Sequence, residues 1–217
     1  SEATGEFLAF TDDDCTPAID WLKVLSTRFA ASPDCAVGGE TVNALGQNVY
    51  SMASQVLVSY MCRAPERVGF FPSCNVAFPT EQFRDIGGFN VSFFPRSAGE
   101  DRELCDRWKH RGYRMIYAPE AVVYHSHHLT AKTFVRQHFH YGCAAYYYHL
   151  LRAHRRQQPM KVEPAAFYIN MLTYPFGKIP FAKAMRVVPL LMVAQVVNAV
   201  GFFWERARRK SAIQSSV

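Results

Sequence analysis

Short apolar runs alternate with helically spaced apolar residues along residues 6–152 of the chain. The run at 6–10 is bounded by a turn signal, which is typical of a central strand. Strands are predicted at 6–10, at 36–39 and 41–43 together as a second strand, within 70–79, at 114–117 and at 121–124. Helices are predicted at 17–31, 47–62, 80–86, 100–110 and 130–152. This alternation predicts an α/β fold with a mixed, mostly parallel sheet, in which ligands bind beyond the carboxyl ends of strands.

The pattern changes towards the C-terminus, where residues 164–180 are rich in Phe, Tyr and Leu and residues 187–204 carry no charge. An uncharged stretch of this length falls just short of the roughly 20 residues needed to span hydrocarbon. We interpret 187–204 as a helix lying in, or dipping into, a membrane interface, with Trp204 and the basic residues after it at headgroup level. The alternative is a buried core or oligomer helix.

Charge and cysteine content narrow the possible partners. The chain of 217 residues has a net charge of +6, and its basic residues are concentrated after Arg102. Such clusters suit phosphate-bearing ligands or a lipid surface, whereas no zinc-finger or RNA-binding signature favours nucleic acid. The six cysteines are scattered without a C-x-x-C pair, which indicates reduced core residues in a cytosolic environment.

Three adjacent carboxylates, Asp12 to Asp14, follow directly on the first apolar run. Because neighbouring carboxylates repel one another, they favour a polyvalent cation, and the cluster is a candidate metal site. The alternative is that these residues cap the helix predicted to begin near Pro17. His125 ends another predicted strand, so it occupies the same kind of position in an α/β sheet.

A second acidic pair, Glu100 and Asp101, opens the helix predicted at 100–110. Leu104, Cys105 and Trp108 follow Asp101 by three, four and seven residues, which places them on its face of the helix. Asp101 is therefore expected to point towards the protein interior.

Four segments together resemble the second half of a family two glycosyltransferase with the GT-A fold: FLAFTDDDCTP, FFPSCNVAFPTEQFRDIGGFN, AGEDRELCDRWKHRGYRMIYAPEAVVYHSH and FVRQHFHYG. The resemblance covers residues 1 to about 153. It implies a catalytic domain at 1–158 without the βαβ units that hold the nucleotide, followed by a helical membrane-associated region at 159–217. We expect the sheet edge that those units would cover to be exposed.

The resemblance assigns the Asp cluster to the D-x-D motif, which holds Mg²⁺ or Mn²⁺ across the diphosphate of a nucleotide-sugar donor. Asp14 would be the direct metal ligand. Asp12 would support the metal or contact the ribose, and Asp13 would lie in the donor site. His125 resembles a further metal-contacting residue.

The other assignments also follow from the resemblance. Asp101, with Glu100, would remove the proton from the acceptor hydroxyl and invert the anomeric centre. Asn75 and Trp108 would line the acceptor side, and Arg136 would bind the donor diphosphate. Residues 137–141 lack the Arg and Trp of the Q-x-x-R-W pattern of processive synthases, which favours transfer of single sugars.

These features predict a glycosyltransferase at the cytoplasmic face of a membrane that acts on a lipid-linked or cell-envelope glycan. Two alternatives stay open at this point. Asp and His clusters also serve metal-dependent hydrolases. A chain without the nucleotide-binding half could instead be a non-catalytic, membrane-associated binding module.

Overall fold

The computed structural model describes residues 2–62, 69–90, 98–156 and 163–214. The strands are β1 (Phe7–Phe10), β2 (Cys15–Pro17), β3 (Ala36–Asn43), β4 (Val76–Pro79) and β5 (Met115–His125). The helices are α1 (Trp21–Ala31), α2 (Val49–Cys62), α3 (Thr80–Asp85), α4 (Glu100–His110), α5 (Ala131–Arg156), α6 (Ala165–Thr173) and α7 (Phe181–Gln214). Single 3-10 turns span Ser73–Asn75 and Tyr174–Gly177. The predicted mixture of strands and helices is confirmed.

Two predicted boundaries are wrong. The helix expected from residue 17 begins at Trp21, because β2 precedes it. The strands expected at 114–117 and 121–124 form the single strand β5. Its pairing with β3 passes from Ala118 directly to Val122, so the three residues between them, which include Pro119, are left out of the ladder. Proline lacks an N–H to donate and is tolerated at such bulges, which explains the two separate apolar runs.

The five described strands form one mixed sheet in the order β1-β4-β3-β5-β2. β3 and β5 are parallel, whereas β4 is antiparallel to both β1 and β3, and β2 is antiparallel to β5. The predicted mixed sheet is confirmed, but among the described strands three pairings are antiparallel and one is parallel, so these strands are not mostly parallel. The parallel pair, β3 and β5, is joined by a long connection that contains α2, β4, α3 and α4. Among the described strands, β1 lies at an end of this order.

Apolar side chains cover both faces of the sheet. On one face, Trp21, Leu25 and Phe29 of α1 pack against buried residues of the strands, among them Val37 and Val123. The other face carries a second cluster made of Ala36, Phe71, Val76, Phe78, Ile86, Leu104 and Trp108. Because successive residues of a strand point to opposite faces, the neighbours Ala36 and Val37 belong to different clusters.

The chain divides into two compact units. The first comprises residues 1–47, 55–90 and 101–128 and contains the whole sheet, and the second comprises 48–54, 91–100 and 129–217. Inside the second unit, α5 and α7 approach so closely that a Cβ at Gly142 would lie 2.0 Å from the Asn198 carbonyl oxygen. The expected domain boundary at 158/159 lies outside the described residues.

Helix α7 contains the whole uncharged segment 187–204 and continues through Pro189. Its residues Ala184, Val187, Leu191 and Ala194 are buried. A different set of apolar residues is exposed: Phe181, Met185, Met192, Val193, Val196, Val200, Phe203 and Trp204. The portion Phe181–Arg209, 29 residues long, has the length and apolar composition that a membrane crossing requires. The membrane contact itself stays a prediction.

Candidate metal and donor site

The pairing of β2 with the end of β5 brings Asp14 next to His125. Cys15 lies opposite His125 in the antiparallel register, and the Ser126 N–H donates to the Asp14 carbonyl oxygen at 2.8 Å. Both carboxylate oxygens of Asp14 lie 3.2 Å from His125 Nε2. The pairing of the three-residue strand β2 with β5 thus brings together two residues that are 111 positions apart in the chain.

Asp12 belongs to the same turn, since its carbonyl oxygen accepts the Cys15 N–H at 3.2 Å. Partial burial, followed by repulsion from Asp14, raises the pKa of the Asp12 carboxyl above its ordinary value. Burial, followed by the neighbouring His125, lowers the pKa of His127. A cation in this place would relieve the repulsion between the carboxylates.

The donor atoms at this place fit a divalent cation. Single atoms of Asp14, His125 and His127 lie within 4.8 Å of one another, and carboxylate and imidazole ligands suit Mn²⁺. Mg²⁺ would draw mainly on the carboxylate oxygens. His127 lies two residues after His125, and its sequence position alone is a weak indication, because a lone His is more often structural than a ligand.

The alternative that the Asp cluster caps a helix is wrong. The residue at the N-cap position of α1 is Asp20, whose side chain makes no capping hydrogen bond. Asp12 to Asp14 lie before β2 and are separated from the helix by that strand. Their carboxylates therefore do not cap α1.

Helix α4 begins with the acidic pair, as predicted. Gly99 precedes it with φ of 90°, a backbone conformation that glycine adopts without strain. Asp101 Oδ1 accepts the Arg102 N–H at 2.7 Å. Glu100 Oε2 is buried without a hydrogen-bond partner among the described residues. The catalytic assignment of this pair stays a prediction.

The structure gives Asn75 a different role from the predicted acceptor contact. Its side chain is fully buried. Its Oδ1 accepts the Trp21 indole N–H at 2.9 Å, and its Nδ2 donates to the carbonyl oxygens of Glu40 and Ala121, each at 2.9 Å. Because both donor hydrogens of the amide are used, Asn75 joins α1, β3 and β5 and has no surface to offer a substrate.

The predicted acceptor contact of Trp108 is corrected in the same way. Trp108 is 0% exposed, and its indole N–H donates to the Arg114 carbonyl oxygen at 2.9 Å. Its ring lies 5.1 Å from that of Phe78 and 4.8 Å from that of Tyr113, measured between centroids. The helical face that it shares with Asp101 is thus a packing face.

Arg136 lies on the first turns of α5, between the buried residues Phe134 and His138, and its side chain is exposed. The helix therefore directs Arg136 away from the residues that it buries. Its contact with a diphosphate stays a prediction.

Sequence reasoning missed two residues at this place, Cys15 and Cys74. All six cysteines are free and five are buried, as expected, but Cys15 is only partly buried. Its Sγ lies 3.7 Å from Asp14 Oδ1, and the donor atoms of Cys15, Cys74 and His125 lie within 4.8 Å of one another. The position of Cys15 directly after Asp14 was a sequence signal that could have identified it as a site residue. No such signal existed for Cys74, because it is distant from Asp14 in the sequence.

Comparison with known proteins supplies the family. The model of Glycosyl transferase family group 2 matches residues 29–204, most of the chain. The chain belongs to this family. Two curated relatives from strains of Mycobacterium tuberculosis, each called pre-mycofactocin glycosyltransferase, are 30% identical over 150 residues, which is 65% of this chain and 31% of the relative. The chain thus spans about a third of the length of these glycosyltransferases.

A solved structure confirms the fold expected for the family. A mannosyltransferase from Pyrobaculum calidifontis, in complex with GDP-Man and Mn²⁺, aligns with 94% of this chain and 64% of its own, with a TM-score of 0.52 and 17% identity. The GT-A fold class is therefore confirmed. The family match begins after Asp14, so the metal assignment in this chain depends on the geometry described above.

Proposed function

We propose that this chain is part of a metal-dependent, inverting glycosyltransferase that moves one sugar from a nucleotide-diphosphate sugar to a glycan or lipid-linked acceptor. The observation that carries the proposal is the pairing of Asp14 with His125 beside Asp12 at the sheet end. Membership of the glycosyl transferase family supports it. A neighbour of the same fold was solved with GDP-Man and Mn²⁺, which supports the donor class and the cation.

Asp14, Asp12 and His125 would hold Mn²⁺ or Mg²⁺, and Asp13 would complete the donor side. When bound, the cation neutralises the charge that develops on the diphosphate as the sugar departs. Asp14 is the direct ligand in this proposal because its side chain remains 40% exposed while it contacts His125. Arg136 would add a positive charge for the diphosphate.

Asp101 would act as the general base. The start of a helix favours an ionised carboxylate, since the first turn carries partial positive charge. Asp101 would accept the proton of the acceptor hydroxyl while the new oxygen–carbon bond forms and the bond from the anomeric carbon to the phosphate oxygen breaks. A single displacement of this kind inverts the anomeric centre, and the adjacent Glu100 would help to keep the proton at this place.

The exposed apolar side of α7 would place the enzyme at the cytoplasmic face of a membrane. Met185, Met192, Val196, Val200 and Phe203 are each more than half exposed, which is costly in water and favourable in a bilayer. Exposed Arg206, Arg208 and Arg209 follow them and would meet anionic headgroups. A lipid-linked acceptor is consistent with this position.

The test uses the full-length protein, a radiolabelled nucleotide-sugar donor and candidate lipid-linked acceptors. We expect sugar transfer that disappears with a chelator and returns with Mn²⁺. Asp14→Asn should raise the Mn²⁺ concentration needed for half-maximal transfer by at least about tenfold, since loss of even an outer ligand contact costs this much.

Asp85→Asn is the matched control, because Asp85 is an exposed carboxylate on α3 that pairs with Arg111 at 3.4 Å. It should leave the Mn²⁺ dependence unchanged. Metal-dependent release of free sugar that does not require an acceptor would identify a hydrolase instead. Transfer that is insensitive to the chelator would contradict the metal-dependent mechanism.

A further inference from the structure

We propose that Cys15, Cys74 and His125, with Asp14 as the fourth ligand, form a binding site for Zn²⁺ that shares Asp14 and His125 with the proposed Mn²⁺ or Mg²⁺ site and adds two thiols. Two thiols, an imidazole and a carboxylate are the ligand types that Zn²⁺ takes in proteins. The donor atoms of the two cysteines and His125 lie within 4.8 Å of one another. Binding of Zn²⁺ to these four residues does not depend on the proposed sugar transfer.

Asp14 stands at ligand-like distances from Cys15 and His125. Ligands that surround Zn²⁺ at their usual bond lengths stand roughly 3.3 to 3.8 Å apart. Cys15 Sγ lies 3.7 Å from Asp14 Oδ1, and His125 Nε2 lies 3.2 Å from the same carboxylate. These contacts place Asp14 beside two of the three clustered donors, Cys15 and His125, where it can supply the fourth ligand.

The backbone holds these ligands in position. Cys15 and His125 face each other across the β2–β5 ladder, where opposite residues have Cβ atoms about 5 Å apart. Cys74 is 5% exposed and its Sγ lies 3.8 Å from Thr41 Oγ1. The next residue is Asn75, which three hydrogen bonds anchor to α1, β3 and β5. A fixed site of this kind loses little conformational entropy on binding.

The ligand set discriminates between cations. Thiolates select Zn²⁺ over Mg²⁺, which takes oxygen ligands, and Zn²⁺ binds nitrogen and sulfur sites more tightly than Mn²⁺ does. Because Asp14 and His125 are shared with the proposed donor-site cation, the two ions exclude each other. Zn²⁺ would therefore inhibit sugar transfer in competition with Mn²⁺, and this consequence alone depends on the proposed function.

Co²⁺ is the probe, because it replaces Zn²⁺ at tetrahedral sites and reports thiolate ligands by a charge-transfer band in the near ultraviolet. The reduced, metal-free, full-length protein is titrated with Co²⁺ and then with Zn²⁺. We expect a thiolate-to-cobalt band that one equivalent of Zn²⁺ removes. Cys15→Ser and Cys74→Ser should each weaken Co²⁺ binding by at least about tenfold and reduce the band.

Cys35→Ser is the matched control, since Cys35 is buried in the same unit and its Sγ contacts Asp34 rather than a cluster of ligands. It should retain the full band. Circular dichroism checks the fold of each variant. If Cys74→Ser fails to fold, Cys15→Ser, at a partly exposed position, tests whether the thiols bind the metal. An unchanged band in folded Cys15→Ser, or no band in the reduced wild-type protein, would overturn the site.

The outcomes separate this site from the proposed transferase activity. Zn²⁺ binding lost in Cys15→Ser, together with Mn²⁺-dependent transfer that Zn²⁺ inhibits, supports both. Zn²⁺ binding without any sugar transfer supports the site and contradicts the proposed function. Sugar transfer that persists when Zn²⁺ is bound to the cysteines contradicts competition between Zn²⁺ and Mn²⁺ and the sharing of Asp14 and His125 by the two ions.

Discussion

Asp14 and Asn75 are both polar residues adjoining strands of one sheet, yet their surroundings differ completely. The Asp14 side chain is 40% exposed and has further carboxylates beside it in sequence. Asn75 is 0% exposed and its amide is fully hydrogen-bonded. The difference teaches that a polar residue within a family motif binds ligands only where its hydrogen bonds and charge are left incomplete by the fold.

Trp108 belongs with Asn75 in this comparison. Both were assigned to the acceptor, and both have their polar atoms paired inside the core. Asp101 belongs with Asp14, because its half-buried carboxylate lies at the start of α4. The comparison therefore separates residues whose substitution should change the reaction from residues whose substitution should change stability.

The largest expected effect is on turnover. Asp101→Asn in the full-length enzyme should lower kcat by about 10²- to 10⁴-fold, because the amide cannot accept the proton of the acceptor hydroxyl. The affinity for the nucleotide-sugar donor, measured by calorimetry, should be unchanged. Normal turnover in this variant would remove Asp101 from the mechanism and place it with the structural residues.

Asn75→Ala should act on stability. It leaves the Trp21 indole N–H and the carbonyl oxygens of Glu40 and Ala121 without their partner, and each buried unpaired group costs about 1 to 3 kcal/mol. Since such costs are not additive, we expect the free energy of unfolding to fall by about 2 to 4 kcal/mol in urea titrations.

Asn43→Ala is the control for this prediction, because the Asn43 side chain hydrogen-bonds with the backbone of Leu45, two residues away, and the residue is half-buried. It should cost less than about 1 kcal/mol. If Asn75→Ala instead raised the KM for the acceptor at unchanged stability, Asn75 would be assigned to acceptor binding again. The contrast between Asn75 and Asp14 would then be wrong.

The smallest expected effect concerns His138 of α5, which is buried although neither ring nitrogen makes a hydrogen bond of ordinary geometry among the described residues. Burial lowers the pKa of His138 to about 4. The unfolded chain, with a pKa near 6.5, then binds more protons than the folded protein between these values. Stability should therefore fall as the pH drops from about 6.5 to about 4, by up to about 3 kcal/mol.

His138→Leu should reduce this acid sensitivity, because it removes the group that must stay neutral in the folded state. His110→Gln, at an exposed position of α4, should retain it. The measurement is the urea midpoint as a function of pH. An identical pH dependence in wild type and His138→Leu would assign the acid sensitivity to other groups.

Several elements could be predicted because their signals are local. The apolar run of β1, the spacing in α4 and the uncharged segment of α7 are each visible in a short window of sequence. Strand β2 was missed because three residues that end in Pro17 carry no periodicity. The direction of β4 was missed as well, since it depends on which strands lie beside it.

The candidate site was predicted only in part for the same reason. Asp12 to Asp14 and His125 follow strands, so their position at a sheet end could be inferred from the pattern. The contact of Asp14 with His125 depends on β2, and the approach of Cys74 to Cys15 depends on β3 and β4 as well. Long-range contacts of this kind leave no mark in a local window.

The sequence by itself determined the fold class, the family resemblance and the acidic cluster of this protein, because propensity, periodicity and motif spacing are properties of neighbouring residues. Only the tertiary structure decided which polar groups remain available. It buried and paired Asn75 and Trp108, and it left Asp14 beside His125 and the Cys15 thiol. The physical reason is that burial and hydrogen bonding depend on residues far apart in the chain, which pack only when the sheet has formed.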